Sequence, residues 1–257
     1  MSNAAVLVEY RDQVVAITLN RPEVYNACNA ELRAGMRAIT QELAIDKTVR
    51  VVIITATGKG FCAGADLREG TAPLMSEHLH AEYEPFLFGL RRLDKVVLAA
   101  VNGACAGIGC GFLAAADLAI MAEDAYMQLA FSKIGLVPDG GISFVLVRAL
   151  GQKRANRLMM EAGRLSAQEC LQYGLVNEVV NGADLQARAW EWAAQICELS
   201  PIANALIKRI TNQAAELSLS ATFALEAALQ DVAAAGPDSK EGIAAFLEKR
   251  KAKFPGK

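Results

Sequence analysis

The chain of 257 residues carries a formal charge of -2 and 53% hydrophobic side chains, with a mean hydropathy of +0.24. That apolar content supports a sizeable core in one large domain or two ordinary ones, and it excludes a disordered chain. The only basic run, Lys249-Arg250-Lys251, is expected on a solvated helix face, so nucleic acid is disfavoured as the main partner.

In chain order, Val6-Leu7-Val8 and Val14-Val15-Ala16-Ile17-Thr18-Leu19 flank Arg11-Asp12, which predicts a β-hairpin closed by Asn20-Arg21-Pro22. From Asn29, a candidate N-cap, Leu32, Met36, Ile39 and Leu43 recur at helical spacing. Arg50-Val51-Val52-Ile53-Ile54-Thr55 reads as a buried strand that runs into Gly60-Phe61-Cys62-Ala63-Gly64-Ala65-Asp66-Leu67. Residues 68–82 are polar and mixed and hold both histidines, His78 and His80; they predict a lid, with the histidines solvated rather than bound to metal. Leu87, Leu90 and Leu93 suggest a helix before the strand Val96–Val101. No charge occurs between Lys95 and Asp117, a length that would span a bilayer. Asn102-Gly103 and the glycines at 107, 109 and 111 break the run, so a strand, a turn and a helix are expected instead. Further strands are expected at 118–121 and 126–129, a mostly helical chain from about 141, and alanine-rich helices near 201–215, 219–235 and 239–252. Strands alternating with helices predict an α/β core. Trp190 and Trp192 are expected in packing, and the apolar C-terminal helices hint at subunit contacts. Six cysteines without a C-x-x-C pair or a secretory signal point to free thiols in the cytoplasm.

Chemistry has two places to sit. Gly60–Leu67 and Asn102–Gly111 each break a buried strand at glycines, and the second opens a helix. Broken strand ends offer backbone N–H groups that are fixed before charge develops, as an oxyanion requires. Taken alone, the first reads rather as a tight strand-to-helix turn with a packed Phe61. A dinucleotide site is excluded because Phe112 stands where the third glycine of the fingerprint belongs. The other feature is Leu136-Val137-Pro138-Asp139-Gly140-Gly141, where Asp139 is either a reactive carboxyl or a cap for a helix starting near Ile142.

Taken together, Phe61–Leu67, Ala100-Val101-Asn102-Gly103 with its glycine run, and Leu136–Gly141 resemble the crotonase (enoyl-CoA hydratase/isomerase) superfamily. The resemblance extends from Leu19-Asn20-Arg21-Pro22 to Glu248-Lys249-Arg250-Lys251. It implies a spiral of ββα units over 1–195, C-terminal trimerisation helices over 196–257, and a homo-oligomer that is a trimer or a dimer of trimers. It also implies an acyl-CoA thioester substrate, with coenzyme A part of that substrate and no separate cofactor. By position, the oxyanion donors fall on the Ala65 and Ile108 amides, with Asp66 supporting the first turn. The CoA-binding positions fall on Val24, Ala27, Ala63 and Leu67, and on Phe246 and Lys249, these two from a neighbouring subunit.

Hydratases of the family use two glutamates, and their positions fall here on Gly111 and Phe131. Neither moves a proton. The resemblance is therefore nearer to Δ3,Δ2-enoyl-CoA isomerases and ring-epoxide isomerases of phenylacetyl-CoA degradation, which carry a single acid where Asp139 stands. The expectation is double-bond migration in a thioester enolate, with Asp139 in a cavity walled by Phe131 and Ile134. The alternatives are a hydratase using Glu69 or Asp139 alone, a ring-epoxide isomerase, and a non-catalytic acyl-CoA-binding subunit.

Overall fold

The computed structural model describes residues 4–70 and 72–256. Strands β1 (Val6–Arg11) and β2 (Val14–Leu19) pair antiparallel from Val6 opposite Leu19 to Arg11 opposite Val14, the expected hairpin. Helix α1 (Ala30–Ile45) starts at Asn29, whose side chain accepts from Leu32 N–H at 3.0 Å. Leu32, Met36, Ile39 and Leu43 are all buried, so the spacing read from sequence is the core-facing stripe.

Three ββα units follow. β3 (Val51–Ala56) and β4 (Gly60–Cys62) lead to α2 (Met75–His78) and α3 (Glu84–Arg92), joined by a π-helical turn over Leu79–Tyr83. β5 (Val96–Val101) and β6 (Ala104–Ala106) lead to α4 (Gly109–Ala115). β7 (Leu118–Ala122) and β8 (Tyr126–Gln128) lead through a 3₁₀ turn at Ala130–Ile134 to α5 (Ile142–Leu150). The apolar run 96–116 is thus a strand, a turn, a second strand and a helix. Among the described residues no helix is long and apolar enough to cross a membrane.

α6 (Gln152–Met160), β9 (Arg164–Ser166), α7 (Ala167–Gln172), β10 (Glu178–Val180) and α8 (Leu185–Cys197) complete the core. The first strand of each unit joins a six-stranded sheet, in the order β1-β2-β3-β5-β7-β10, and the second joins a four-stranded sheet, β4-β6-β8-β9. In the first two units the chain leaves the large sheet through a connection holding a glycine, Gly58 or Gly103, before it enters the small one, and these two connections touch: a Cβ on Gly103 would collide with Lys59 O. α8 lies across β2, β3, β5 and β7. The large sheet is covered on both faces, and β3 is buried along its whole length, as parallel strands require.

The expected boundary at 195 lies inside the last turn of α8. Beyond it run α9 (Pro201–Ala214), α10 (Leu219–Ala235) and α11 (Pro237–Glu248). Buried Lys208 anchors α9: its ammonium donates to the Leu90 and Lys95 carbonyls at 3.0 Å each and pairs with Asp117 at 2.8 Å. Leu219, Phe223, Ile243 and Phe246 on α10 and α11 are exposed. One expectation needs correction. α11 ends at Glu248 because Lys249 turns left-handed (φ 54°), so Lys249-Arg250-Lys251 is not a helix face; Arg250 instead pairs with Glu241 and Glu248 at 2.7 and 2.6 Å. Five of the six cysteines are buried and all are free thiols.

Candidate active site

The first glycine turn is tied to the segment after Pro22. Ala63 N–H donates to Tyr25 O (2.9 Å), Cys28 N–H to Gly64 O (2.7 Å) and Asp66 N–H to Cys28 O (3.1 Å). That segment is itself fixed by buried Asn26, which accepts from Arg21 N–H at 2.6 Å and donates to Thr57 O and Gly60 O at 2.9 and 2.7 Å. In this parallel bridge alternate amides face opposite ways, so the Ala65 N–H points away from the Cys28 strand. Among the described residues it meets no protein acceptor, and neither does the Ile108 N–H at the end of the second glycine turn. The Gly107 amide beside it is held by Gln128 O at 3.2 Å.

The two turns touch. Gly64 (φ 107°) and Gly107 (φ 53°) both adopt left-handed backbone, and a Cβ on Gly64 would lie 3.2 Å from Ala106 O and 3.6 Å from Gly107 Cα. No other residue type tolerates that φ and that approach together. The consequence is two free amides at the wall of one cavity of about 520 Å³, lined by Ala65, Ile108, Phe131, Ile134 and Asp139, with Ala63, Asp66 and Leu67 along its rim.

Asp139 does not cap α5: the N-cap is Gly141 and no side chain bonds there. Asp139 lines the cavity instead, and its buried Oδ1 has no hydrogen-bond partner among the described residues. Burial pushes its pKa up to about 6, since a carboxylate stripped of water favours its neutral form. The other acids of the cavity differ. Arg68 and Arg21 hold Asp66 well below the usual carboxylate range, against burial, through bonds of 2.6–3.0 Å. Burial works to raise Glu69, yet the Ala30 N–H and the Arg33 guanidinium, at 2.8 and 3.0 Å, hold it low. Both stay ionised and fully bonded, which leaves Asp139 as the carboxyl poised to exchange a proton near neutrality.

Three groups of expected site residues lie outside this cavity. Gly111 packs behind it: a Cβ there would sit 3.1 Å from Leu87 Cδ1 and 3.2 Å from Gly140 O, so the expectation that Gly111 lines the acyl pocket is corrected. Val24 and Ala27 lie on the turn that braces the first amide, with the Ala27 carbonyl bonded by Arg21. Phe246 (83% exposed) and Lys249, at the end of α11, do not reach the cavity of their own chain. Sequence reasoning also missed residues that the structure brings in. His78 lines the cavity with its ring edge-on to Tyr83 at 5.5 Å, whereas His80 pairs with Glu84. Arg33, Leu79 and Tyr83 line it too. Tyr83 continues the helical spacing of Leu87 and Leu90, and a tyrosine on a core-facing stripe needs a partner for its hydroxyl; that was the available signal.

A profile described as "Enoyl-CoA hydratase/isomerase" matches residues 9–257. The 1,2-epoxyphenylacetyl-CoA isomerase of Escherichia coli (strain K12) is 34% identical over 98% of each chain. A probable enoyl-CoA hydratase of Rhodobacter capsulatus is 36% identical over the whole of both. Among solved structures, the enoyl-CoA hydratase of Bacillus anthracis superposes with a TM-score of 0.92 at 32% identity, covering 98% of this chain and all of that one.

Proposed function

The chain belongs to the enoyl-CoA hydratase/isomerase family, and on that premise we propose that it is an acyl-CoA isomerase in which Asp139 alone carries the proton. The thioester oxygen would accept from the Ala65 and Ile108 amides, each worth about 3 kcal/mol to a developing oxyanion. Asp139 would take the C2 proton as the enolate forms and return it at C4. The C2–H bond breaks, the double bond moves from C3–C4 to C2–C3, and a C4–H bond forms, with no water consumed.

The observation that carries this reading is the cavity itself: two unpartnered amides and one unpartnered, desolvated carboxyl share it. A carboxyl near pKa 6 is ionised at neutral pH yet returns its proton readily. Hydration instead needs a positioned water and a second free acid. Phe131 and Gly111 supply neither, and Glu69 is engaged by Arg33 and Ala30.

The CoA moiety would run past Ala63 and Leu67 toward Val24 and Ala27. The exposed apolar faces of α10 and α11 would meet neighbouring copies, which bring Phe246 and Lys249 to the adjoining site. The test offers 3-enoyl-CoA and 2-enoyl-CoA in water separately to the wild type and to Asp139→Asn. The reading expects the 3-enoyl ester to be consumed by the wild type alone. Rapid hydration of the 2-enoyl ester would make the chain a hydratase, and no turnover of either would refute double-bond migration.

A further inference from the structure

Arg33 lies in the opening turn of α1, at the end where the helix dipole favours anions, and it is only 6% exposed. A buried cation set against the local rule calls for a role elsewhere in the structure. Its guanidinium forks over three acceptors. Nη1 donates to the Cys28 carbonyl at 3.1 Å and to Glu69 at 3.0 Å, and Nε donates to Glu82 at 3.3 Å. The two carboxylates come from either end of the stretch that walls the cavity, one in the 3₁₀ turn Leu67–Glu69 and one in the π-helical turn Leu79–Tyr83. Cys28 is the residue bridged to Ala65. Its N–H donates to Gly64 O at 2.7 Å and its carbonyl accepts from Asp66 N–H at 3.1 Å, so it grips the chain on both sides of Ala65. The Gly64–Ala65 peptide is trans, and in a trans peptide the C=O and N–H point opposite ways. Holding the Gly64 oxygen toward Cys28 therefore turns the Ala65 N–H away from that strand. The same bond polarises the peptide and makes the Ala65 N–H a stronger donor.

We infer that Arg33 is a positioning residue for the oxyanion site: by holding the Cys28 carbonyl it fixes the residue that orients and polarises the Ala65 amide, and Glu69 and Glu82 hold the guanidinium in place for it. This rests on the oxyanion part of the reading above and not on which group moves the proton. A lysine serves poorly at this position, because a compact ammonium on a flexible stem does not span the acceptors that the planar fork meets together. Loss of the cation is not expected to unfold the chain. The Glu69 and Glu82 side chains are 36% and 29% exposed and are free to rehydrate, and the Cys28 carbonyl keeps the Asp66 N–H. What is lost is the alignment of one amide.

The test uses the full-length protein and a short 3-ketoacyl-CoA, whose enolate absorbs in the near ultraviolet and shares its charge with the thioester oxygen. The wild type is expected to bind the enolate at a lower pH than the free ester needs to form it. In Arg33→Met that midpoint should rise by about one pH unit, a roughly tenfold loss of enolate. Affinity for the saturated ester butyryl-CoA should change less than about threefold, and turnover of a 3-enoyl-CoA should lose about tenfold in kcat with KM within about threefold. Arg33→Lys should fall between. Arg50→Met is the control: Arg50 also binds two carbonyls, of Cys197 and Phe254, outside the cavity lining, so its loss should lower Tm and leave the midpoint in place. Equal midpoints in the wild type and Arg33→Met overturn the inference, and so does an equal rise in Arg50→Met. Should Arg33→Met not fold, a wild-type midpoint in Arg33→Lys overturns it. A wild type that binds no enolate overturns the oxyanion reading and this inference with it. Bound enolate that depends on Arg33, without turnover of a 3-enoyl-CoA, overturns only the proton transfer assigned to Asp139.

Discussion

Replacing Asp139 by Asn should stabilise the protein, and the gain should depend on pH. In the unfolded chain the carboxyl has its ordinary pKa of 3.8, and in the fold burial raises this to about 6. Above pH ~6 both states are ionised, and the folded state alone bears the cost of a desolvated charge, at most about 3 kcal/mol for that shift. Below pH ~4 both states are protonated and the cost is gone. The wild type thus recovers stability as pH falls through the folded pKa, whereas the Asn variant carries no such dependence. The side chain retains some exposure and the amide loses water too, so a net gain of about 1–2 kcal/mol at pH 8 is expected, or roughly 2–8 °C in Tm. Thermal unfolding of both proteins at pH 8 and pH 4.5 measures it, with kcat on a 3-enoyl-CoA expected to fall by at least ~100-fold in the variant. A gain of equal size at both pH values, or a loss at pH 8, would refute the desolvation argument.

The pH–rate profile of the wild type should rise through about 6 as Asp139 ionises, and a flat profile from pH 5 to 8 would assign the proton to another group. Gly111→Glu, which restores a glutamate where hydratases of the family have one, should lower Tm and add no hydration, because its Cβ meets Leu87 and the Gly140 carbonyl; hydration of 2-enoyl-CoA by this variant would contradict that. Lys208→Ala should cost about 1–3 kcal/mol in denaturant unfolding, since it removes the donor to the Leu90 and Lys95 carbonyls inside the protein, while Asp117 keeps the Val97 N–H.

Local chemistry made much of this molecule legible beforehand. β3 and β5 are continuous apolar runs that only a doubly covered sheet explains, and Asn29 lacks any role but the cap it makes. The glycines at 64 and 107 stood out because a strand that ends in glycine announces an unusual backbone. What stayed hidden was decided by tertiary placement. The choice between cap and acid at Asp139 turns on whether α5 starts two residues earlier, and Gly141 takes the cap position. The burial of Lys208 depends on carbonyls more than a hundred residues away, which no local pattern reveals. Nothing local shows that the turn at Tyr83 is π-helical.

The pairing of Gly111 with Asp139 is a packing relation before it is a chemical one. The space that a side chain at 111 would fill is taken by the Gly140 backbone: from a Cβ at 111 the Gly140 carbonyl oxygen is 3.2 Å away and its Cα 3.3 Å. Gly140 in turn has left-handed φ (63°), and a Cβ on it would press Ile108 Cγ1 at 3.2 Å and Gly111 Cα at 3.3 Å. Two bare glycines therefore let the 138–141 turn settle against the start of α4, beside the Ile108 amide. That seating carries Asp139 to the cavity wall with its Oδ1 buried. An acid at 111 would push the turn outward, rehydrate Asp139 and lower its pKa. In this chain the seat of the 138–141 turn and a side chain at 111 compete for the same space, so Gly111→Glu is expected to displace Asp139 from the cavity wall.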